Sequence, residues 1–137
     1  MNHKIDIYLS VPYLHSDPKI REWRYQQTIT AFLKLISLGV RSIYCPLIYS
    51  HCFGIGALSF ALSRFEEFNL PFLKNSRFLA VLTLPGWDTS DEVKEDVSLA
   101  ESLRIEVIKV IPNYDEDLNL NGFVFSDKNF LDRVKAA

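Results

Sequence analysis

A chain of 137 residues is long enough to bury one sizeable core and too short for two, so residues 1–137 are read as a single domain. With 48% hydrophobic and 23% charged residues it has the balance of a globular chain and not of a disordered or fibrous one. A formal charge of −2, with both signs interspersed, supplies no broad cationic surface, which argues against an extended nucleic acid held through many phosphates; no apolar run approaches the ~20 residues that span a bilayer.

The N-terminus MNHKIDIYLS enters a strand pattern with no secretory leader, and Cys45 and Cys52 read as reduced thiols, so a cytoplasmic protein is expected. Ile5 to Leu9 predicts a first strand, closed by the proline of Ser10-Val11-Pro12-Tyr13. Asp17-Pro18 supplies an N-cap and an N1 proline, and Ile20, Ile29, Phe32, Leu33 and Ile36 recur at helical spacing up to Gly39, predicting a helix over 18–38. Val40 to Cys45 predicts a second strand stopped by Pro46, followed by a loop through Tyr49, Ser50 and His51 to Gly54-Ile55-Gly56 and a second helix that Pro71 interrupts.

Phe78 to Leu84 is a continuous apolar run of the kind a strand buried on both faces requires, ended by Pro85-Gly86. Thr89 and Glu92 are spaced as a capping box, and Val93, Val97, Ala100 and Leu103 mark the inward stripe of a third helix. Glu106 to Ile111 is the next strand. Beyond Pro112 the polar NYDEDLNLN predicts a loop, Gly122 to Phe125 a short edge strand and Asn129 to Val134 a terminal helix.

Strands alternating with helices imply right-handed crossovers and a mostly parallel sheet of four to five strands covered on both faces. The expected class is α/β, a Rossmann-like (flavodoxin-like) three-layer sandwich. Ligands of such sheets bind outside the carboxyl ends of the strands, where strand order reverses. That selects three loops: Ser10 to Asp17, Pro46 to Gly56, and Pro85 to Asp91.

The first loop offers Tyr13, His15 and Ser16, with Arg21 and Arg24 behind it; such a cation pair suits a phosphate, and equally suits surface pairing with Glu22. The second carries Ser50, His51 and the Gly54 to Gly56 step into a helix, where exposed N–H groups favour an anion. Neither a GxGxxG nor a GxxxxGK[ST] pattern occurs, and Cys45, His51 and Cys52 lack the spacing and the fourth ligand of a zinc site, so neither a cofactor nor a metal is expected. The third loop and helix set Trp87 beside Asp88, Asp91, Glu92, Glu95 and Asp96. Most of these carboxylates suit a helix N-terminus. Asp96 lies on the flank of the apolar stripe, not on the outer face with Glu95 and Ser102; it is a nucleophile or base candidate, or a second-turn aspartate bonded to the next loop.

Taken together, YLSVPY with H-S-D-P, the R-x-x-R-Y at Arg21, Arg24 and Tyr25, P-L-I-Y-S-H, and L-P-G-W at Leu84 to Trp87 before a helix with an acid four residues ahead of Ala100 resemble the nucleoside 2-deoxyribosyltransferase superfamily, in its short bacterial and phage branch. The resemblance covers roughly Ile5 to Val110. It implies cleavage or transfer at the N-glycosidic bond of a (deoxy)nucleoside or its 5′-monophosphate. The superfamily's nucleophilic glutamate falls at Asp96 and its base-assisting aspartate at about Asn69, and the small residue usual before the helix is matched by Glu92.

By the same likeness the substrate lies against Ser10, Pro12 and Tyr13, against Ser50 and His51, and against Gly86, Trp87, Ser90 and Glu92, with Arg21, Arg24 and the Gly54 to Gly56 turn near a phosphate. Aspartate keeps the charge one methylene shorter, and asparagine can bond a base without serving as its acid. Two readings follow: an N-glycosidase or transferase, and a binding module that holds a nucleotide without turnover. Members are usually dimers or larger, and Phe60, Phe65, Phe68 and Phe72 add apolar surface to the second helix, so a homo-oligomer is expected.

Overall fold

The computed structural model describes residues 5–53 and 55–136, with the side chains of 53–64 outside the description. In chain order it contains β1 (Ile5–Ser10), α1 (Pro18–Ser37), β2 (Ile43–Tyr44), α2 (Pro46–Phe53), α3 (Ile55–Lys74), β3 (Ser76–Leu82), α4 (Asp91–Ser102), β4 (Glu106–Tyr114), β5 (Leu120–Phe125) and α5 (Phe130–Lys135). The strands form one five-stranded sheet in the order β2-β1-β3-β4-β5, parallel except for β5, which returns antiparallel to β4. The fold is α/β with helices on both faces of the sheet.

Period-two alternation decides what each face buries. Ile7, Leu9 and Val11, with Phe78, Ala80 and Leu82 from β3, point to the face covered by Ala31 and Leu35 of α1 and by Phe130 and Val134 of α5. Tyr8, Leu79 and Val81 point the other way, against Leu73 of α3 and Val93 and Ala100 of α4. Each fully buried aliphatic or aromatic side chain stabilises the fold by roughly 1.5–3 kcal/mol relative to exposure. The same alternation brings Asp6, Tyr8 and Ser10 to one face, which places the polar end of that row at the strand's carboxyl terminus.

The cap residues act as their chemistry dictates. The carboxylate of Asp17 accepts from Lys19 N at 2.9 Å, Pro18 begins α1 where its missing N–H costs nothing, and Gly39 adopts φ +104° beyond the helix end. No described helix is long and apolar enough to cross a membrane.

Several elements differ from their predicted form. β2 spans only Ile43–Tyr44, not 40–45. The expected loop after it is helical, because Pro46 opens α2 at the position a proline favours. Pro71 does not interrupt α3, which runs on to Lys74; the stack of Phe72 on Tyr44, with ring centroids 4.0 Å apart, and the buried Leu73 hold the last turn in place. Thr89 lies in a 3-10 turn (Trp87–Thr89), and the cap of α4 is Ser90, whose Oγ accepts from Val93 N at 3.3 Å. β4 continues past Pro112 to Tyr114, since β5 begins at Leu120 and pairs with that extension. In α1 the buried seam is Arg24, Gln27, Thr28, Ala31 and Leu35, while Leu33 and Ile36 face outward.

Candidate functional site

After β1 the chain passes to one face of the sheet, and after β3, its neighbour, to the other. The carboxyl ends of these two strands therefore splay their loops apart and leave a crevice. Ser10 closes β1 at the floor of that crevice, and the second turn of α4 brings Asp96 over it. Ser10 Oγ donates to Asp96 Oδ2 at 2.7 Å. This carboxylate is not on the solvent face of α4.

Two adjoining hollows of about 90 and 240 Å3 meet at Tyr8, Glu66, Asn69, Glu95 and Asp96. Together they reach the lower range of small-ligand sites. Val11, Leu14, Pro46, Leu47 and Phe65 make the first hollow partly apolar, and Ser50 and Glu92 stand on its rim. Among the described residues no lysine, arginine or histidine lines either hollow, and no three histidine, cysteine or acidic groups converge to hold a metal ion. The charged groups that line the hollows, among the described residues, are all carboxylates, with Glu66 and Glu95 exposed at the mouth.

Burial, chiefly, pushes the Asp96 carboxyl up to about 7; the hydrogen bond from Ser10 opposes this, and the charges of Glu92, Glu95 and Glu66 add to it. Burial likewise raises Glu92, against the pull of the Leu14 and Tyr13 amides and of Arg24. Tyr8, two residues before Ser10 on the same face, is raised by burial and then by Asp96. Asn69 enters from α3. Its Oδ1 accepts from the Tyr44 hydroxyl, which leaves the amide N–H groups as its donors toward a ligand.

The structure thus brings Asp96, Asn69, Ser10, Ser50 and Glu92 around one space. Other predicted residues stand elsewhere. Arg24 is buried, and its guanidinium donates to Tyr13 O (3.3 Å), Leu14 O (3.1 Å) and Pro85 O (3.2 Å), tying the loop after β1 to the loop after β3. Burial lowers its pKa, with Glu92 opposing. Gly86, at φ +91°, is where that guanidinium passes: a Cβ there would lie 2.7 Å from Arg24 Nη2, so the position needs glycine for both its backbone and its space.

Arg21 donates to the carbonyl of His15. His51 sits between Tyr13 and Glu22, its Nδ1 3.1 Å from the Tyr13 hydroxyl and its Nε2 2.8 Å from Glu22 Oε2, and its ring stacks on Tyr25. These groups brace the outer side of the first loop and do not line the hollows. Pro12 is buried and does not line the hollows.

Trp87 does not face Asp96. It packs on the α4 side of the core, with Lys109 Nζ 5.0 Å from its ring centre, and with Val93 and Val97 lines a separate shallow depression; Ser90 is spent as the cap of α4. Gly54 lies outside the described residues, and Gly56 falls in the first turn of α3, not in a loop. Conversely, Tyr8, Tyr44, Glu66 and Glu95 belong to the site and were not singled out for it. Strand alternation through Ser10 would have found Tyr8. Glu95, expected on the outer face, leans to the mouth beside Asp96. Cys45 is buried and its thiol is pushed up to about 12 by that burial, which makes it inert.

Compared with protein-family models and with curated proteins, the chain matches none.

Proposed function

We propose that the protein cleaves, or transfers across, the N-glycosidic bond of a (deoxy)nucleoside or its 5′-monophosphate, with Asp96 as the nucleophile. The observation that carries this reading is the Ser10-to-Asp96 hydrogen bond, which aims a carboxylate of raised pKa into a cavity it shares with Asn69. Ionised Asp96 attacks the anomeric carbon, and the C–N bonding pair leaves with the base. The amide N–H groups of Asn69 bond the departing base, which takes its proton from water. Water or a second base then releases the sugar from Asp96.

The strand order β2-β1-β3-β4-β5 supports a Rossmann-like, flavodoxin-like sandwich, and the resemblance of residues 5–110 to nucleoside 2-deoxyribosyltransferases supports the reaction class. The test is release of free base from a panel of ribo- and deoxynucleosides and their 5′-monophosphates, followed by chromatography, with Asp96→Ala alongside. Release lost in the variant is the expected result. A fully active Asp96→Ala protein overturns the assignment.

A second reading, a protein that binds its nucleotide without turnover, is favoured by the two residues at the site: burial raises the Asp96 carboxyl to about 7, which disfavours the attacking anion, and Asn69 cannot act as an acid. A thermal shift with nucleotides but no base released would establish it. In either case a cytoplasmic homo-oligomer is proposed. Phe68 is 51% and Tyr49 43% exposed, and these rings adjoin the Tyr44 and Phe72 stack as an apolar patch beside the crevice. Light scattering is expected to give at least twice the monomer mass, falling on Phe68→Glu; a wild-type monomer at high micromolar concentration would refute the oligomer.

A further inference from the structure

Two consecutive backbone amides converge on one side chain at the rim of the crevice. Glu92, the second residue of α4, receives the N–H of Tyr13 at 3.1 Å and that of Leu14 at 2.9 Å on a single oxygen, Oε1. The guanidinium of Arg24, which holds the carbonyls of the same two residues, draws the carboxylate by its charge. Adjacent N–H groups aimed at one point form a concavity for an anion. Here the anion is part of the chain.

We propose that Glu92 is an internal occupant of a phosphate-type nest formed by the Tyr13 and Leu14 amides beside Arg24, and that it restricts the crevice to uncharged nucleosides by excluding their 5′-monophosphates. This rests on the nucleoside reading for the identity of the ligand, but not for the existence of the nest. Glu92 does not yield its place cheaply: swung aside, it would give up two charge-assisted hydrogen bonds, leave the part-buried Tyr13 amide without its carboxylate and itself remain half-buried without those donors, although water can take the exposed Leu14 amide. A phosphate that displaced it would also enter a cavity walled by Glu66, Glu95 and Asp96, with no lining cation among the described residues to offset them. Removing the Glu92 carboxylate takes away the first obstacle, leaves one negative charge fewer beside Glu66, Glu95 and Asp96, and keeps the two donors and Arg24 in position.

The experiment is titration of inorganic phosphate into wild type, Glu92→Ala and Glu92→Gln, followed at the Tyr13 and Leu14 amide resonances and by calorimetry, with deoxyadenosine and deoxyadenosine 5′-monophosphate compared in the same way. Glu92→Ala is expected to bind phosphate at least about tenfold more tightly than wild type, the scale of one charge-assisted hydrogen bond, and to shift its preference toward the monophosphate by a similar factor. Glu92→Gln keeps an oxygen on the two amides and is expected to remain as indifferent to phosphate as wild type. Should Glu92→Ala not fold, Glu92→Ser serves in its place. Phosphate that leaves the Tyr13 and Leu14 amides unmoved in the folded variant, or that moves them equally in wild type, overturns the proposal. Phosphate captured by the variant while neither protein releases base from any nucleoside would support the nest and sink the glycosidase reading; base release with no capture would do the reverse.

Discussion

Asp96→Asn is expected to abolish base release and, at pH 8, to make the protein more stable than wild type. Loss of the attacking oxygen should lower turnover by at least about a thousandfold, or about 4 kcal/mol of transition-state stabilisation. The stability gain follows from the direction of the Asp96 shift. Folding raises its pKa from an ordinary carboxyl value to about 7, so between roughly pH 4 and 7 the native state binds a proton that the unfolded chain does not. Stability contributed by this group therefore falls as pH rises through that window, and above it the native state bears the full cost of an ionised, half-buried carboxylate.

The shift corresponds to at most about 4 kcal/mol, and solvent reaching a partly exposed group reduces this to about 2 kcal/mol. Asparagine keeps an oxygen to accept the Ser10 hydroxyl and carries no charge. Thermal melts of both proteins from pH 4 to 8 are expected to coincide at the acid end and to separate by several degrees at the alkaline end. The wild-type rate should climb through pH 7 as Asp96 ionises. Coincident melts at pH 8 would show that Asp96 lies in water and is not a half-buried acid of raised pKa.

Arg24→Ala should be the most damaging single change near the crevice, costing about 3–4 kcal/mol and lowering the melting temperature by roughly 10 °C. The change strands three carbonyls on two loops and removes the positive charge facing Glu92. Lysine is expected to recover only part of the loss, because an ammonium cannot reproduce the planar fork that spans Tyr13, Leu14 and Pro85. Urea denaturation decides between this role and that of a substrate phosphate ligand. A ligand arginine could be removed with little effect on unfolding and a large effect on KM for monophosphates; unchanged unfolding with that KM effect would overturn the clamp.

The unequal fate of the predicted site residues has a common cause. Asp96 was legible because helical periodicity tells inward from outward within one element. Arg24 was legible as a cation near a strand end, but its use was not: the acceptors that claim it are carbonyls 10, 11 and 61 residues away, and backbone acceptors leave no mark in a side-chain pattern. Trp87 was placed beside Asp96 by chain proximity, whereas the left-handed turn at Gly86 sends its ring to the opposite side of α4. Glu92 and Thr89 matched the spacing of a capping box, but Ser90 supplies the cap of α4 and Glu92 accepts from the Tyr13 and Leu14 amides.

Taken alone, the sequence determined the alternation of strands and helices, the α/β class of the fold, the loops after β1 and β3 and the inward lean of Asp96, but not the helix that replaces the expected loop after β2. Each of these depends on periods of two or 3.6 residues, on proline and glycine punctuation, or on a short cap, all of which are local. Only the tertiary structure decided that Asn69 and Asp96 share a cavity, that the charged groups lining it among the described residues are carboxylates, that Arg24 is a clamp, and that Glu92 accepts from the amides of another loop. Those properties arise from pairs 10 to 86 residues apart, whose meeting is set by strand order and by which face each helix covers, and no local period encodes it.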